Sequence, residues 1–372
     1  MNKKKIDGLK RTELFEVHKR LGARLVPFAG WEMPVQYDSG ILSEVRAVRS
    51  NAGMFDVSHM GRIEFDGKRA VSFLGTILSV DVGSIRVGKS RYHLICDELG
   101  GIIDDAIVYR LGNKRCLLIV NAGNLAEVLA WIVPRVQAHT GVSMREISEK
   151  VAMIAVQGPV AARVIDRLCS SPVSSMKPFS IVETNCDGVP ALIARTGYTG
   201  EDGFELMPPA DSACGIWDTL LEQGVKPCGL GSRDVLRLEA GLMLHGSDMT
   251  VTNNPLEAGL SRFVEFEREE YIATESLRDI SRRGTQQVIT GFKMIGRGVP
   301  RHGHSIMSGD AVIGIVTSGT YSPTLDYCIG MGYVRQHFAV IGERFEIDIR
   351  GKLVEAEVVR LPFYRRPRPS AH

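Results

Sequence analysis

The sequence lacks any apolar run close to the roughly 20 residues that a transmembrane helix needs. Its first residues, MNKKKIDGLK, are basic, but no apolar segment follows them, as an export signal would require. An excess of one charge is also lacking, since 45 basic and 43 acidic side chains leave a formal net charge of +2. Nucleic-acid-binding proteins carry clustered positive charge, so this balance argues against that class. We therefore expect a soluble, cytoplasmic protein that binds neither membranes nor nucleic acid.

Cysteine pairs and cofactor motifs are missing as well. The seven cysteines form no CxxC pair and have no close histidine at metal-ligand spacing, so we expect buried free thiols and no metal site. Their odd number argues for a reducing compartment. No P-loop occurs, and no GxGxxG turn follows a strand, so the sequence gives no support to a nucleotide cofactor.

The length and the changing pattern along the chain predict the domain organisation. At 372 residues the chain exceeds the usual size of a single core, which indicates more than one domain. Two rounds of strand and helix patterns fill the first part, whereas from about Gln286 short strands separated by glycine turns follow one another with little helix. We predict an α+β body over residues 1–280, made of two interleaved α+β domains, and a C-terminal β-barrel domain over residues 281–372.

Helix signals in the body are specific enough to test. Apolar residues recur on the helical period across residues 38–51, with Ser39 as the candidate N-cap. A second helix is predicted over residues 124–133, ending before Pro134. A third is predicted over residues 232–242, with Arg233 in its first turn.

Two adjacent acids in GGIIDDAIVYR, Asp104 and Asp105, lie between a glycine-rich turn and an apolar strand. Neighbours on a strand point to opposite faces, so only one of the two is expected to face a cleft. There it can orient an N–H group, hold a cation or accept a proton. Acids before strands are also common turn residues, and the pattern alone favours that interpretation.

Glu205 and Arg233 are further candidates. Glu205 lies among apolar residues in GFEL, so it faces either water or a ligand with paired N–H donors, such as the edge of a pterin. Arg233 opposes the dipole of its predicted helix, which suggests Glu205 or a ligand oxygen as its partner, although a surface arginine fits nearly as well. His59 is interpreted as structural, because no GxSxG or HExxH motif accompanies it.

Taken together, several ordered stretches resemble the aminomethyltransferase family, also called T-protein. The resemblance runs from about Leu14 to Phe363 and is carried by FAGWEMPVQY, SNAGMFDVSHM, GGIIDDAIVYR, RTGYTGEDGFEL, GSRDVLRLEAGL, PLEAGLSRFV and TSGTYSPTL. It implies a three-domain ring around a central folate pocket, with a β-barrel as the last domain. It further implies that a one-carbon unit passes, in the glycine cleavage system, from the aminomethyl-lipoyl arm of H-protein to tetrahydrofolate, which yields methylenetetrahydrofolate and ammonia.

The resemblance also assigns residues to roles. It makes Asp105 the catalytic aspartate, which reverses the turn interpretation, and places Glu205 and Arg233 against the pterin. Further residues fall at positions that line the pocket or contact folate in the family, namely Tyr92, Met60, Asn121 and Tyr364.

Two alternatives stay open at this point. Ser261 and Arg262 stand where many glycine-cleavage members have glycine and tryptophan, and PLEAGLSRFV is more similar to folate-dependent demethylating domains of sarcosine and dimethylglycine dehydrogenases. One alternative is therefore a free-standing folate-dependent demethylase of a small methylamine or sulfonium compound. The other is a non-catalytic folate-binding factor, against which the retained acid pair argues. Arg365, Arg366 and Arg368 either attract an acidic carrier protein or form a solvated tail.

Overall fold

A computed structural model describes residues 8–367 of the chain. Within this range the α-helices are α1 (Phe15–Arg20), α2 (Ile41–Ser50), α3 (Ala70–Ile77), α4 (Leu125–Gln137), α5 (Ala161–Leu168), α6 (Ala213–Glu222), α7 (Leu230–Glu239) and α8 (Thr274–Arg283). None of these helices is long and apolar enough to cross a membrane.

The strands, in chain order, are β1 (Arg24–Phe28), β2 (Trp31–Gln36), β3 (Gly53–Asp56), β4 (Gly61–Asp66), β5 (Lys89–Cys96), β6 (Ile102–Arg110), β7 (Arg115–Val120), β8 (Ser143–Glu146), β9 (Ile154–Gln157), β10 (Ile181–Cys186), β11 (Val189–Ala194), β12 (Gly203–Met207), β13 (Lys226–Pro227), β14 (Gln287–Met294), β15 (Ser305–Ser308), β16 (Ala311–Ser322), β17 (Tyr327–Arg335), β18 (Arg344–Ile349) and β19 (Lys352–Val359).

The strands form a hairpin, two body sheets and a barrel. One body sheet has the order β10-β11-β12-β9-β3-β13 and the other β5-β6-β7-β4-β8, while β14-β17-β16-β15-β18-β19 close into a barrel. The chain leaves the first sheet after β3, builds the second, and returns at β9, so the two sheets are interleaved along the sequence. The predicted α+β class with a C-terminal β-barrel is confirmed.

An apolar layer joins the two body sheets. Phe55 of β3 and Ala155 of β9 pack in one buried cluster with Tyr109 of β6 and Ile119 of β7. Removing this apolar surface from water is the main force that holds the sheets together. Strand β6, which carries the acid pair, is therefore anchored at its far end in the core.

A buried polar network joins the body to the barrel. Arg237 of α7 forms an ion pair with Asp248, and it also donates to the Ser318 hydroxyl on β16 at 2.7 Å. The hydroxyls of Thr317 and Ser318 donate to the Asp248 carboxylate at 2.6 Å each. Because buried charges are stable only when paired and hydrogen-bonded, this network fixes the barrel against α7.

Two helix predictions need correction. Helix α2 is preceded by Gly40 at φ 74°, a left-handed conformation that glycine adopts easily, and Ser39 does not cap it. Helix α4 does not stop before Pro134 but continues to Gln137. Val136 in this last turn packs against the core of the second sheet, and this burial outweighs the bias of the residue before proline.

The barrel begins a few residues after the predicted boundary. Helix α8 spans residues 274–283, so the predicted division between residues 280 and 281 falls inside it, and the first barrel strand starts at Gln287. The division into 1–280 and 281–372 stays a prediction.

Candidate functional site

The acid pair lies at the start of β6 and is held by one amide. Asp104 is fully buried and Asp105 partly buried, so their burial alternates as expected on a strand. Asn121 follows the neighbouring strand β7, and its Nδ2 atom donates to Asp104 Oδ1 and Asp105 Oδ1 at 2.8 Å each. The backbone N–H of Asn121 donates to Asp104 Oδ2 at 3.0 Å. The two carboxyl groups are therefore linked, although the alternation suggested separate environments.

Tyr92 holds the other oxygen of Asp105. Strands β5 and β6 are antiparallel, with Tyr92 opposite Ile107, so Tyr92 reaches Asp105 along the diagonal of the sheet face. Its hydroxyl donates to Asp105 Oδ2 at 3.0 Å. On its other side the Tyr92 ring meets the edge of Phe263, with ring centres 4.6 Å apart. Asp105 thus has both oxygens fixed by neutral donors.

These surroundings give the two acids different pKa values. Burial raises the pKa of Asp105 to about 6, and the hydrogen bonds from Tyr92 and Asn121 oppose that rise. Burial, together with the charge of Asp105, raises the pKa of Asp104 well above its usual range. Two acids this close do not both ionise at low cost. We infer that Asp104 is the member of the pair that takes up a proton more readily, whereas Asp105, with a pKa of about 6, ionises first and is suited to proton transfer.

A cavity of about 770 Å³ opens beside the acid pair where body and barrel meet. Its volume is within the roughly 300–1,000 Å³ typical of small-molecule sites. Three of the predicted site residues line it, namely Met60, Asn121 and Arg233, whereas Tyr92, Asp105, Glu205 and Tyr364 are not among its lining residues. The barrel contributes Thr317 and Ser318 to the opposite wall. The cavity therefore lies between the two halves of the body and the barrel, as the predicted ring of three domains requires.

Arg233 has a donor without a partner in this cavity. The guanidinium lies over the Tyr198 ring at 4.7 Å, and its Nη1 atom is buried without a hydrogen-bond partner among residues 8–367. Burial lowers the pKa of Arg233, and the charge of Glu205 opposes that shift. Because nearly all buried donors in native proteins are satisfied, an unpartnered arginine nitrogen at a cavity wall is available to donate to an oxygen or nitrogen atom of a bound ligand.

Glu205 is near Arg233 but does not contact it. The carboxylate, on β12, is 6% exposed and accepts hydrogen bonds from the hydroxyls of Thr196 and, at 3.4 Å, Tyr109. Burial raises its pKa, while Thr196 and the charge of Arg233 oppose the rise. In the described part of the chain the partners of Glu205 are these two hydroxyls, and the Nη1 atom of Arg233 has no partner. The structure shows no direct contact between the two groups, which interact through their charges, and the alternative partner, a ligand oxygen, stays a prediction.

Tyr364 lies apart from these residues. Its ring stacks on the Arg49 guanidinium, 4.0 Å from ring centre to Cζ, and its backbone N–H donates to Glu239 O at 2.7 Å. It is not among the residues that line the cavity, so its predicted folate contact stays a prediction. In the tail, Arg366 lies 3.6 Å from Asp202, whereas Arg368 falls outside the described residues.

Sequence reasoning missed some residues that the structure brings to the site. His59, interpreted as structural, lines the cavity with a buried Nδ1 atom that has no partner in the described chain. Burial lowers its pKa to about 4, so it is neutral at physiological pH. Its position directly before Met60 was the available signal. Arg262, which stands where many family members have tryptophan, has an exposed side chain. The neighbouring Phe263 is the residue that contacts the Tyr92 ring.

A second cleft of about 730 Å³ lies between α8 and the barrel. It is lined by Asn254, Glu257, Ile280, Arg283, Gly284, Thr285, Gln286, Gln287 and Arg335, and contains none of the predicted site residues. We place the site at the central cavity instead, because Asn121, which holds both acids, lines that cavity together with Arg233 and its unpartnered nitrogen.

A linked acid pair beside a cavity shared by three structural units defines an enzyme that acts on a bound small molecule. The comparisons give the family. Residues 14–268 match the family model described as GCVT N-terminal domain, and residues 287–365 match the one described as Glycine cleavage T-protein C-terminal barrel domain. The chain belongs to the glycine cleavage T-protein family, and the predicted enzyme class, aminomethyltransferase, is confirmed.

Individual relatives are similar over nearly the whole chain. The aminomethyltransferases of Geobacillus kaustophilus and Geobacillus thermodenitrificans are 43% and 44% identical to it, each over 96% of this chain and 99% of the relative. The crystal structure of glycine cleavage system aminomethyltransferase T from Bartonella henselae superposes with a TM-score of 0.92 at 35% identity. That match covers 96% of this chain and 99% of the other.

Proposed function

We propose that this chain transfers the one-carbon unit of an aminomethyl group, carried on the lipoyl arm of H-protein, to tetrahydrofolate in the cytoplasm. The products are methylenetetrahydrofolate, ammonia and the reduced lipoyl arm. The observation that carries the proposal is the Asp105 carboxylate, which is held by Tyr92 and by Asn121, a residue on the wall of the central cavity. This is the arrangement required for a group that works on a reacting amine.

The residues of the cavity fit a reduced folate. Arg233 offers an unpartnered donor at the wall, and Met60 supplies an apolar surface for a flat ring. Glu205 does not line the cavity, but its buried carboxylate is close enough to Arg233 for their charges to interact, and a carboxylate accepts two parallel N–H donors such as those of a pterin edge. The cavity of about 770 Å³ has room for a ligand of this size.

Asp105 has the central role in the proposed mechanism. With a pKa of about 6 it is mainly ionised at neutral pH, so its carboxylate can accept an N–H of the amine that receives the carbon. It can stabilise positive charge on that nitrogen and take up the proton that leaves it. Tyr92 and Asn121 keep the carboxylate in one orientation, so little reorganisation is needed when the charge develops.

Glu205 and Arg233 bind rather than react. In the proposal Glu205 accepts pterin N–H groups, and Arg233 donates its free Nη1 hydrogens to a pterin oxygen or ring nitrogen. Asn121 aligns both acids, and Met60 packs on the ring. Tyr364 is retained as a candidate folate contact only.

The carrier protein is proposed as an acidic partner. Arg365 and Arg366 belong to a basic tail on the surface and are suited to attract negative charge. Association driven by such contacts weakens steeply as salt concentration rises. Binding of lipoylated H-protein that does not change with salt would remove the tail from the proposal.

An ammonia-release assay tests the function. Purified protein is mixed with aminomethyl-lipoylated carrier and tetrahydrofolate, and each is omitted in turn. The proposal predicts fast ammonia release only when both are present. A free-standing demethylase would release no ammonia from the carrier, and a non-catalytic folate-binding factor would bind tetrahydrofolate without turnover.

A further inference from the structure

Two cysteines face each other outside the proposed site. Cys169 directly follows α5, Cys186 is the last residue of β10, and the two form an isolated antiparallel bridge. Both are free thiols. Cys186 is fully buried, whereas Cys169 is partly exposed. The pair is thus accessible from one side only.

The backbone around the pair fixes how close the two cysteines lie. Two hydrogen bonds flank them, from Ser170 N to Asn185 O at 2.9 Å and from Asp187 N to Leu168 O at 2.8 Å. This pattern makes the cysteines a non-hydrogen-bonded cross-strand pair, in which the Cα atoms are about 4.5 Å apart. Disulfides span Cα separations of about 4.4–6.8 Å. The pair therefore satisfies the distance requirement for a disulfide without movement of the backbone.

The two thiols also differ chemically. Interaction with the adjacent Cys186 thiol lowers the pKa of Cys169 below its usual range. The same interaction, together with burial, raises the pKa of Cys186. Thiolate character and exposure determine which cysteine reacts with an oxidant. Cys169 is the reactive member, and Cys186 is placed to resolve it.

We propose that Cys169 and Cys186 form a site of reversible oxidation, at which a peroxide converts the two thiols to a disulfide. The Cys169 thiolate attacks a peroxide oxygen, an S–O bond forms as the O–O bond breaks, and the leaving hydroxide takes up a proton to become water. The Cys186 sulfur then attacks the Cys169 sulfur, the S–O bond breaks, and a second water leaves with the Cys186 proton. Two thiols are oxidised, and hydrogen peroxide is reduced to two waters.

The disulfide would act on stability rather than on catalysis. It closes the loop formed by residues 169–186 and so removes conformations from the unfolded chain. A dithiol reductant exchanges with such a bond and restores the two thiols. Neither cysteine lines the central cavity, so this inference is independent of the proposed one-carbon transfer.

The test treats the full-length protein with hydrogen peroxide, blocks remaining thiols, and maps peptides by mass spectrometry without reduction. We expect a cross-linked peptide joining residues 169 and 186, lighter by two hydrogen atoms than its reduced parts and separated again by dithiothreitol. Cys214, also partly exposed, supplies the matched control. The cross-link should persist in Cys214→Ser and disappear in Cys169→Ser.

A second measurement addresses the fold. Oxidation should raise the thermal unfolding midpoint of the wild type, and dithiothreitol should return it, whereas Cys169→Ser should show neither change. Recovery of Cys169 as a sulfinic or sulfonic acid beside an unmodified Cys186 thiol would overturn the proposal. So would cross-links that involve other cysteines in preference to this pair. Since peptide mapping is done on the wild type, a poorly folded variant does not prevent the decision.

Discussion

The hydroxyl of Tyr92 donates a hydrogen bond of 3.0 Å to the carboxylate of Asp105 across two neighbouring strands. A donor of this kind favours the ionised acid, so it lowers the pKa of Asp105 against the rise caused by burial. The balance of the two effects leaves a pKa of about 6. Tyr92 is therefore a positioning residue whose loss has a predictable effect on pH dependence.

Tyr92→Phe should move the acidic limb of the pH–rate profile. In the wild type, activity is expected to fall as the pH drops through about 6, because Asp105 becomes protonated. Without the hydroxyl the ionised form is less favoured, so the pKa rises and the limb moves upward by about one pH unit. The measurement is kcat/KM against pH, with the exposed Tyr327→Phe as control. If the acidic limb of the pH–rate profile did not move, ionisation of Asp105 would not be what sets that limb.

Arg233→Met should weaken tetrahydrofolate binding. The substitution keeps an unbranched, largely apolar stem but removes the guanidinium and with it the donor that has no protein partner. A hydrogen bond from a charged donor contributes about 1.5–3 kcal/mol, so the dissociation constant should rise by roughly 10–100-fold. Isothermal titration measures it, with Arg163→Met on the exposed face of α5 as control. Equal affinity in both variants would exclude Arg233 as a folate contact.

Glu205→Gln should weaken folate binding while the fold is retained. The amide has nearly the same size but presents only one acceptor atom, so it cannot accept two parallel N–H donors. We expect a rise in the dissociation constant of about tenfold or more, by the same energy scale. The matched control is Glu346→Gln on the barrel. Tetrahydrofolate affinity like that of the wild type would place the pterin edge elsewhere.

Asp248→Asn should destabilise the contact between body and barrel. Asp248 is fully buried and pairs with Arg237, so the variant leaves a buried guanidinium without its counter-charge. Breaking a buried pair in this way costs about 3–5 kcal/mol. Calorimetry should show a lower unfolding midpoint, whereas Asp310→Asn on the exposed barrel surface should leave it unchanged. A stable Asp248→Asn variant would mean that the network is not needed to hold the barrel.

Several elements could be predicted because their residue pattern directly reflects burial. The strands β5, β6 and β7 and the barrel strands have short apolar or β-branched runs between turns, and these patterns depend on local sequence alone. The end of α4 could not be predicted, because burial of Val136 depends on a sheet distant in sequence. Propensity and turn rules do not contain such tertiary contacts.

The site was predictable to a different degree at each residue. The acid pair was found from its unusual position, but the link through Asn121 depends on the register of β6 against β7, which the sequence does not state. His59 was interpreted as structural because no catalytic motif accompanies it in the sequence. Its position at the cavity wall follows from how the body and the barrel pack against each other. The separation of Glu205 from Arg233 likewise depends on the packing of β12 against α7.

Asp105→Asn gives the most direct test of the account. The variant keeps the shape of the side chain and removes its charge, and general acid–base groups contribute about 10²–10⁴-fold to rate. Ammonia release from the aminomethyl-lipoylated carrier with tetrahydrofolate should therefore fall at least 100-fold, while folate binding and thermal stability are retained, and Asp310→Asn should react at the wild-type rate. Turnover of Asp105→Asn near the wild-type rate would contradict the central role given to this carboxylate.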